Sequence, residues 1–344
     1  MEYLDTLLSA LTRSTGIGYF GDVQEKIVTE LQKNSINACK EKDTSVIGKI
    51  EGRTDMGIMI ACHVDEIGFI VSAIDDAGRI RISQVGGFDV RVLPGQEVVV
   101  HGRETLTAYI GAKPPHLMDQ DERKKAVRFD ELFVDTGLGA SEVKEYVKIG
   151  DYITFQGNYT KLKDDLRCAK ALDNRASVAC AMLVMRALAR STPWCSVYFV
   201  ATSQEEYTGL GARIHSFHLP VQYAIVVDVS FGDQPLLAEH ETYMLQKGPT
   251  IVRGGTVPEM LYQHLVQVAK KNDIPIQIEV IPSGTGTDAD VIAFNREGIP
   301  TCVIGIPLRY MHTPVEVVAL QDIVRAKRLI VGFIEELESV VSRT

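Results

Sequence analysis

Leu4, Leu7, Leu8 and Leu11 recur at the spacing that lines one face of a helix. Val23, Ile27, Val28 and Leu31 repeat the pattern after a glycine-rich break at 16–21, so the chain is expected to open with two amphipathic helices. Short apolar runs follow at 46–50 (VIGKI) and 57–62 (GIMIAC) and read as strands. The second ends on His63 instead of a plain turn residue, which places a candidate for chemistry at a strand end.

From about 70 to 157 the texture changes to short strands separated by Gly, Pro and Asp: FIVSAI, RIRISQV, EVVVHG, LTAYIG, ELFVDTG and DYITFQG. This predicts a small β domain at 70–157, inserted into a discontinuous domain made of 1–69 and 158–344. Beyond it, a helix at about 174–190, strands SVYFVAT and YAIVVDV, a helix at about 258–271, strands IQIEVI and TCVIGI and a C-terminal helix follow one another. Nearly continuous apolar strands between helices predict an α/β fold, with a sheet covered by helices on both faces.

The composition agrees with a folded globular chain. Of 344 residues 45% are hydrophobic and 24% charged, enough for a full core plus a second domain. The formal charge of −9 argues against nucleic acid or an anionic membrane as partner. No run approaches the roughly 20 apolar residues of a membrane span, and the first residues lack a secretion signal's pattern, so a cytoplasmic location is expected. The six cysteines show no C-x-x-C spacing and read as buried thiols, not disulfides or a structural zinc site.

Candidate chemistry lies in ACHVDEIGF (61–69), ALDNRAS (171–177), TSQEEYTGLGA (202–212), VVDVS (226–230) and RYMHTP (309–314). Each places His or carboxylate groups near a strand end or a helix start, where ligands of open α/β sheets collect. Taken singly, each also has a plainer reading. His63 and Asp65, two apart on an extended chain, point the same way, so Asp65 can orient the imidazole, yet such a pair also arises by chance. Asp173 stands where a helix N-cap would, although a cap needs one carboxylate oxygen and leaves the other for a metal. Glu205 and Glu206 follow a buried strand and are expected on opposite faces, one suited to a metal and the other to a proton. Asp228 ends an apolar run and needs a cation or donors if buried. His312 alone reads as an ordinary loop histidine.

Together and in this order, with GAKPPHL (111–117), SQEE (203–206), GTD (286–288) and MHTPVEVV (311–318), these segments resemble the dinuclear metallo-aminopeptidase family that includes the tetrahedral, glutamyl and deblocking aminopeptidases. The resemblance covers nearly the whole chain. It implies a mixed sheet of the zinc-aminopeptidase kind and a PDZ-like barrel for the insert. It implies two divalent ions per subunit, zinc or cobalt, with manganese also suited to the donors. One ion takes His63 and Asp228, the other Glu206 and His312, and Asp173 bridges them. Glu205 becomes the general base for a bridging water and Asp65 the orienting acid. Short peptides with a free N-terminus are the implied substrates, and dimers built into a tetrahedral dodecamer the implied assembly. The resemblance further implies a cis Asp173–Asn174 peptide bond.

Some features depart from this pattern or point elsewhere. GIGYFG at 16–21 matches G-x-G-x-x-G, but follows a helix where a dinucleotide fold requires a strand, and it replaces a Pro-Ser-Gly-Tyr segment usual in the family. DTGLGASEVKE at 135–145 also differs from the family's wording. A glycoside hydrolase of the endoglucanase type is the enzymatic rival, since two carboxylates can act as acid and base, although one Trp offers little platform for sugars. A non-catalytic assembly protein on the same scaffold is the other. Arg253 and Arg309 are candidates for setting the preferred first residue, which the sequence leaves open.

Overall fold

The computed structural model describes residues 1–341. Its main sheet has eleven strands, and the middle of it is parallel. Strand Gly57–His63 lies between Ser196–Thr202 and Tyr223–Phe231, parallel to both, and Thr301–Arg309 continues the parallel set beyond Tyr223–Phe231. All seven residues of Gly57–His63 are buried, which is what an unbroken apolar strand covered on both faces requires. Antiparallel strands flank this centre: Val46–Ile50 and Asn37–Lys40 on one side, Glu316–Ala319 and Leu166–Ala169 on the other. The sheet is therefore mixed.

Helices Glu2–Thr12, Val23–Lys33, Leu172–Leu188 and Leu320–Val341 form one packed layer, the first two presenting the leucine and valine stripes read from the sequence. The shorter helices Leu210–His218 and Ala289–Ile292 pack on each other and on strands of the parallel centre. The regular part of Leu172–Leu188 begins at Arg175, because Asp173 and Asn174 have non-helical backbone angles. The peptide bond between those two residues is cis. Among the described residues no helix is long and apolar enough to cross a membrane.

Six further strands, Gly68–Ile74, Ile80–Val85, Glu97–His101, Thr105–Gly111, Phe133–Asp135 and Tyr152–Phe155, close into a barrel. It has its own core, in which Phe69, Val98, Val100, Ala108, Val134 and Ile153 are fully buried. The glycine-rich segment at 16–21 is a small hairpin pairing Gly16 with Gly21, not the strand-to-helix turn of a dinucleotide site. All six cysteines are free, and Cys39 alone is exposed.

Candidate metal centre

The four parallel strands carry their chemistry in their C-terminal halves or just beyond them. His63 is the last residue of its strand and stands in register with Thr202, from which the chain turns through Glu205 and Glu206. Asp228 lies opposite Gly305, and His312 follows Arg309 by one short loop. Asp173 reaches the same place from the start of its helix. The two glutamates stand on a turn instead of an extended strand, so the opposite-face expectation does not describe them. They lie at different ends of one cluster instead.

Asp173 is the middle of that cluster. Its Oδ1 lies 3.0 Å from His63 Nε2 and its Oδ2 lies 3.3 Å from His312 Nε2. His63 Nε2 is also 3.9 Å from Asp228 Oδ1 and 4.0 Å from Glu205 Oε2, while His312 Nε2 is 3.5 Å from Glu206 Oε1. One end thus gathers His63, Asp228 and Glu205, and the other His312 and Glu206. One donor atom each from His63, Asp173 and Glu206 fits within 4.8 Å. Both oxygens of Asp173 are turned to imidazoles, which replaces the simple helix-cap reading. His63, Asp173 and Asp228 are buried, whereas the His312 side chain keeps 35% of its surface exposed, so the cluster opens on that side.

Asp65 does more than accompany a histidine. Its Oδ1 accepts the Glu205 N–H at 3.1 Å and its Oδ2 the Glu206 N–H at 3.2 Å, fixing the turn that carries both glutamates. His63 Nδ1 is 3.6 Å from the Asp65 carboxylate and 3.2 Å from its backbone carbonyl, so the carbonyl is the nearer partner.

Several positioning residues escaped the sequence reading. Glu316 accepts the Asp173 N–H at 3.0 Å and the His312 N–H at 2.9 Å, tying two segments far apart in sequence to one carboxylate. Its only signal was its place in MHTPVEVV. Asp43 accepts from the Ser45 hydroxyl at 2.7 Å and the Ser203 hydroxyl at 3.3 Å, and His215 Nε2 stands 3.1 Å from both its oxygens. This buried network anchors the segment leading into Glu205. Nothing in the sequence announces it, because Asp43 and His215 lie 172 positions apart. Asp288, signalled only by its place in GTD, is buried beside the centre, accepts from the Thr202 hydroxyl, and has a second oxygen with no hydrogen-bond partner among the described residues. Burial pushes its pKa up to about 6 despite that hydrogen bond.

Electrostatics indicate what the cluster is built to hold. Burial, together with Asp173 and other neighbouring carboxylates, raises the pKa of Glu205, Glu206 and Asp228. Burial also raises Glu316, beside Asp173. Burial opposes charge on His63 and His312, but their contacts with Asp173 and the other carboxylates outweigh it and raise both, His312 to about 9. Against burial, the same two imidazoles hold Asp173 well below the usual carboxylate range. Carboxylates here outnumber imidazoles, and burying that excess negative charge is costly without cations. Mixed imidazole and carboxylate donors suit divalent ions such as zinc, cobalt or manganese, so the residues fit a metal. Of the two arginines considered for specificity, Arg309 is held by Asp233 at 2.5 Å and Arg253 by Glu259 at 3.2 Å.

Comparison with known proteins identifies the family to which the chain and its fold belong. The M42 glutamyl aminopeptidase family matches residues 44–329. A lysyl aminopeptidase of Pyrococcus furiosus is 32% identical over 338 residues, covering 96% of this chain and 97% of its own. Among solved structures, the TET aminopeptidase of a marine-sediment Thaumarchaeota archaeon superposes with a TM-score of 0.94 at 31% identity, covering 100% of this chain and 99% of that one. The TET1 peptidase of Pyrococcus horikoshii, which can assemble into a tetrahedron or a large octahedral shell, gives 0.85 at 28% identity, covering 97% and 99%. A Thermotoga maritima chain described as an endoglucanase gives 0.77 at 30% identity, covering 98% and 99%. The α/β fold with its barrel matches the TET aminopeptidases. The chain belongs to the M42 glutamyl aminopeptidase family and is a peptide hydrolase.

Proposed function

We propose that this chain removes N-terminal residues from short peptides, using two divalent ions per subunit. One is held by His63 and Asp228, the other by Glu206 and His312, with Asp173 shared between them. The observation that carries the reading is the division of Asp173, whose two oxygens face one imidazole each at 3.0 and 3.3 Å. A shared carboxylate of this kind is how two ions at bridging distance are held. When bound, the ions supply Lewis acidity to the scissile carbonyl and to water.

The protein's own groups do the rest. Glu205 is next to the candidate ligands, and its raised pKa suits a group that takes a proton from the attacking water and returns it to the leaving amine. Asp65 keeps that carboxylate aimed by holding its backbone N–H. The substrate's free α-amino group sets the register, so residues leave singly from that end.

The catalytic unit in this reading comprises 1–69 and 158–344. The inserted barrel serves self-association, as dimers within a tetrahedral dodecamer, which encloses the sites and admits unstructured peptides. Six free thiols suit a cytoplasmic setting. Removing metal with a chelator and restoring zinc, cobalt or manganese tests the reading against the glycosidase alternative. Loss and recovery of N-terminal residue release from peptides, with no hydrolysis of β-glucan, is expected. Peptide cleavage that survives complete metal removal would refute it.

A further inference from the structure

The barrel reaches the centre itself. Between strands Ile80–Val85 and Glu97–His101 the chain passes through Gly86 and Gly87, and both lie against the candidate donors. A Cβ on Gly86 would stand 3.3 Å from Glu206 Oε2 and 2.6 Å from Ile67 Cγ2, at a φ of +81°, so this position accepts no side chain without strain. Gly87 differs. Its φ is outside the left-handed region, and a Cβ there would meet His312 Nδ1 at 3.9 Å and, among the described residues, nothing else within 4 Å. The fold therefore has room for a side chain at 87, and that side chain would project beside the most open donor of the centre.

The loop is fixed in place. Phe88 packs edge-on against Phe69 at 5.0 Å and against Phe155 in the barrel core, and Asp89 accepts the Arg91 N–H at 2.8 Å, capping the short turn that follows. The Gln84 side chain donates to the Gly86 carbonyl at 3.2 Å. A wall held this way does not give easily when a ligand presses on it.

The chemistry decides which part of a peptide meets this wall, an argument that rests on the aminopeptidase reading. Glu205 must reach the leaving nitrogen, so the chain beyond the scissile bond runs on the His63 and Glu205 side. A cleft of about 340 Å³ lined by Glu205, Tyr207, Thr208 and Gly209 lies there. The residue before the scissile bond then falls at the other end, against His312, Glu206 and the Gly86–Gly87 backbone. We propose that Gly87 borders the subsite for the first residue of the substrate, and that its missing side chain is what leaves space for a large one.

The test compares metal-loaded wild type with Gly87→Ala and Gly87→Val. One peptide series varies only the first residue, from alanine to the largest that the wild type releases, and a second varies only the second residue. For Gly87→Val, kcat/KM for the largest first residue should fall about tenfold or more relative to alanine, the scale of one misfitted methylene group, with Gly87→Ala between. Relative rates across the second series should stay as in wild type, and metal content and Tm should be unchanged. An equal loss for all first residues, a loss that follows the second residue, or unchanged ratios would overturn the proposal. A wild type that releases no N-terminal residue removes the underlying reading as well, whereas an active wild type with unchanged ratios in both variants removes this inference alone.

Discussion

Glu205→Gln is expected to lower kcat by about 10²–10⁴-fold, the usual contribution of a positioned general base, while metal content stays at the wild-type level. The side chain lies 4.0 Å from His63 Nε2 but is not the closest carboxylate to either imidazole; Asp173 is. The amide keeps shape and volume and cannot accept the proton. Because Asp65 holds residue 205 through its backbone N–H, the substitution leaves the turn in place. Assays of turnover and bound metal on the same preparation check this. If the metals leave together with the activity, the roles of the two glutamates are exchanged.

Metal-free protein should lose stability as pH rises from about 4.5 to about 8, and added divalent metal should remove the loss. The folded state raises Glu205 to about 7 and Glu206 to about 8, chiefly by burial, so in this window it binds protons that the unfolded chain has released. Stability therefore falls with increasing pH. His63 and His312 act in the same direction, since their stabilisation is full below the unfolded value and fades as pH climbs through the raised folded value. Asp173 acts oppositely, but only at more acidic pH, where its lowered pKa lies. Metal restores the balance by occupying the space between the carboxylates, and binding at a hundredfold excess over Kd stabilises by about 3 kcal/mol per site. Thermal melts across this pH range, with and without metal, measure the effect. A flat or rising curve for the metal-free protein would contradict it.

The sheet and the candidate donors are legible in the sequence for separate reasons. Strands such as Gly57–His63 and Tyr223–Phe231 are buried throughout or nearly so, and their apolar runs are hard to read otherwise. Asn37–Lys40 was missed because one of its four residues is buried and no alternation shows. Helix Leu210–His218 does not show in the sequence because it is short and carries Gly211 in its first turn, a position closed to any side chain by the Ser203 backbone. Leu166–Ala169 and Glu316–Ala319 are short and pair with each other and with one further strand each, which only the folded chain brings about.

The site divides the same way. The clustering of His63, Asp173, Glu206, Asp228 and His312 was expected because several ordered segments matched one family pattern, whereas their individual signals were weak. Glu316, Asp43 and the Gly86–Gly87 wall act through partners remote in sequence, and a linear reading has no means of pairing them. The barrel illustrates this best: its strands were visible as texture, but its contact with Glu206 and His312 exists only in three dimensions.

If a free N-terminus directs cleavage at the metal centre, blocking that amine must protect the whole peptide. A peptide and its N-acetylated form are incubated with metal-loaded protein, and the products are followed by mass spectrometry. A ladder of single-residue losses from the free peptide is expected, with the acetylated one left intact. Equal cleavage of both forms, or internal cuts, would contradict it.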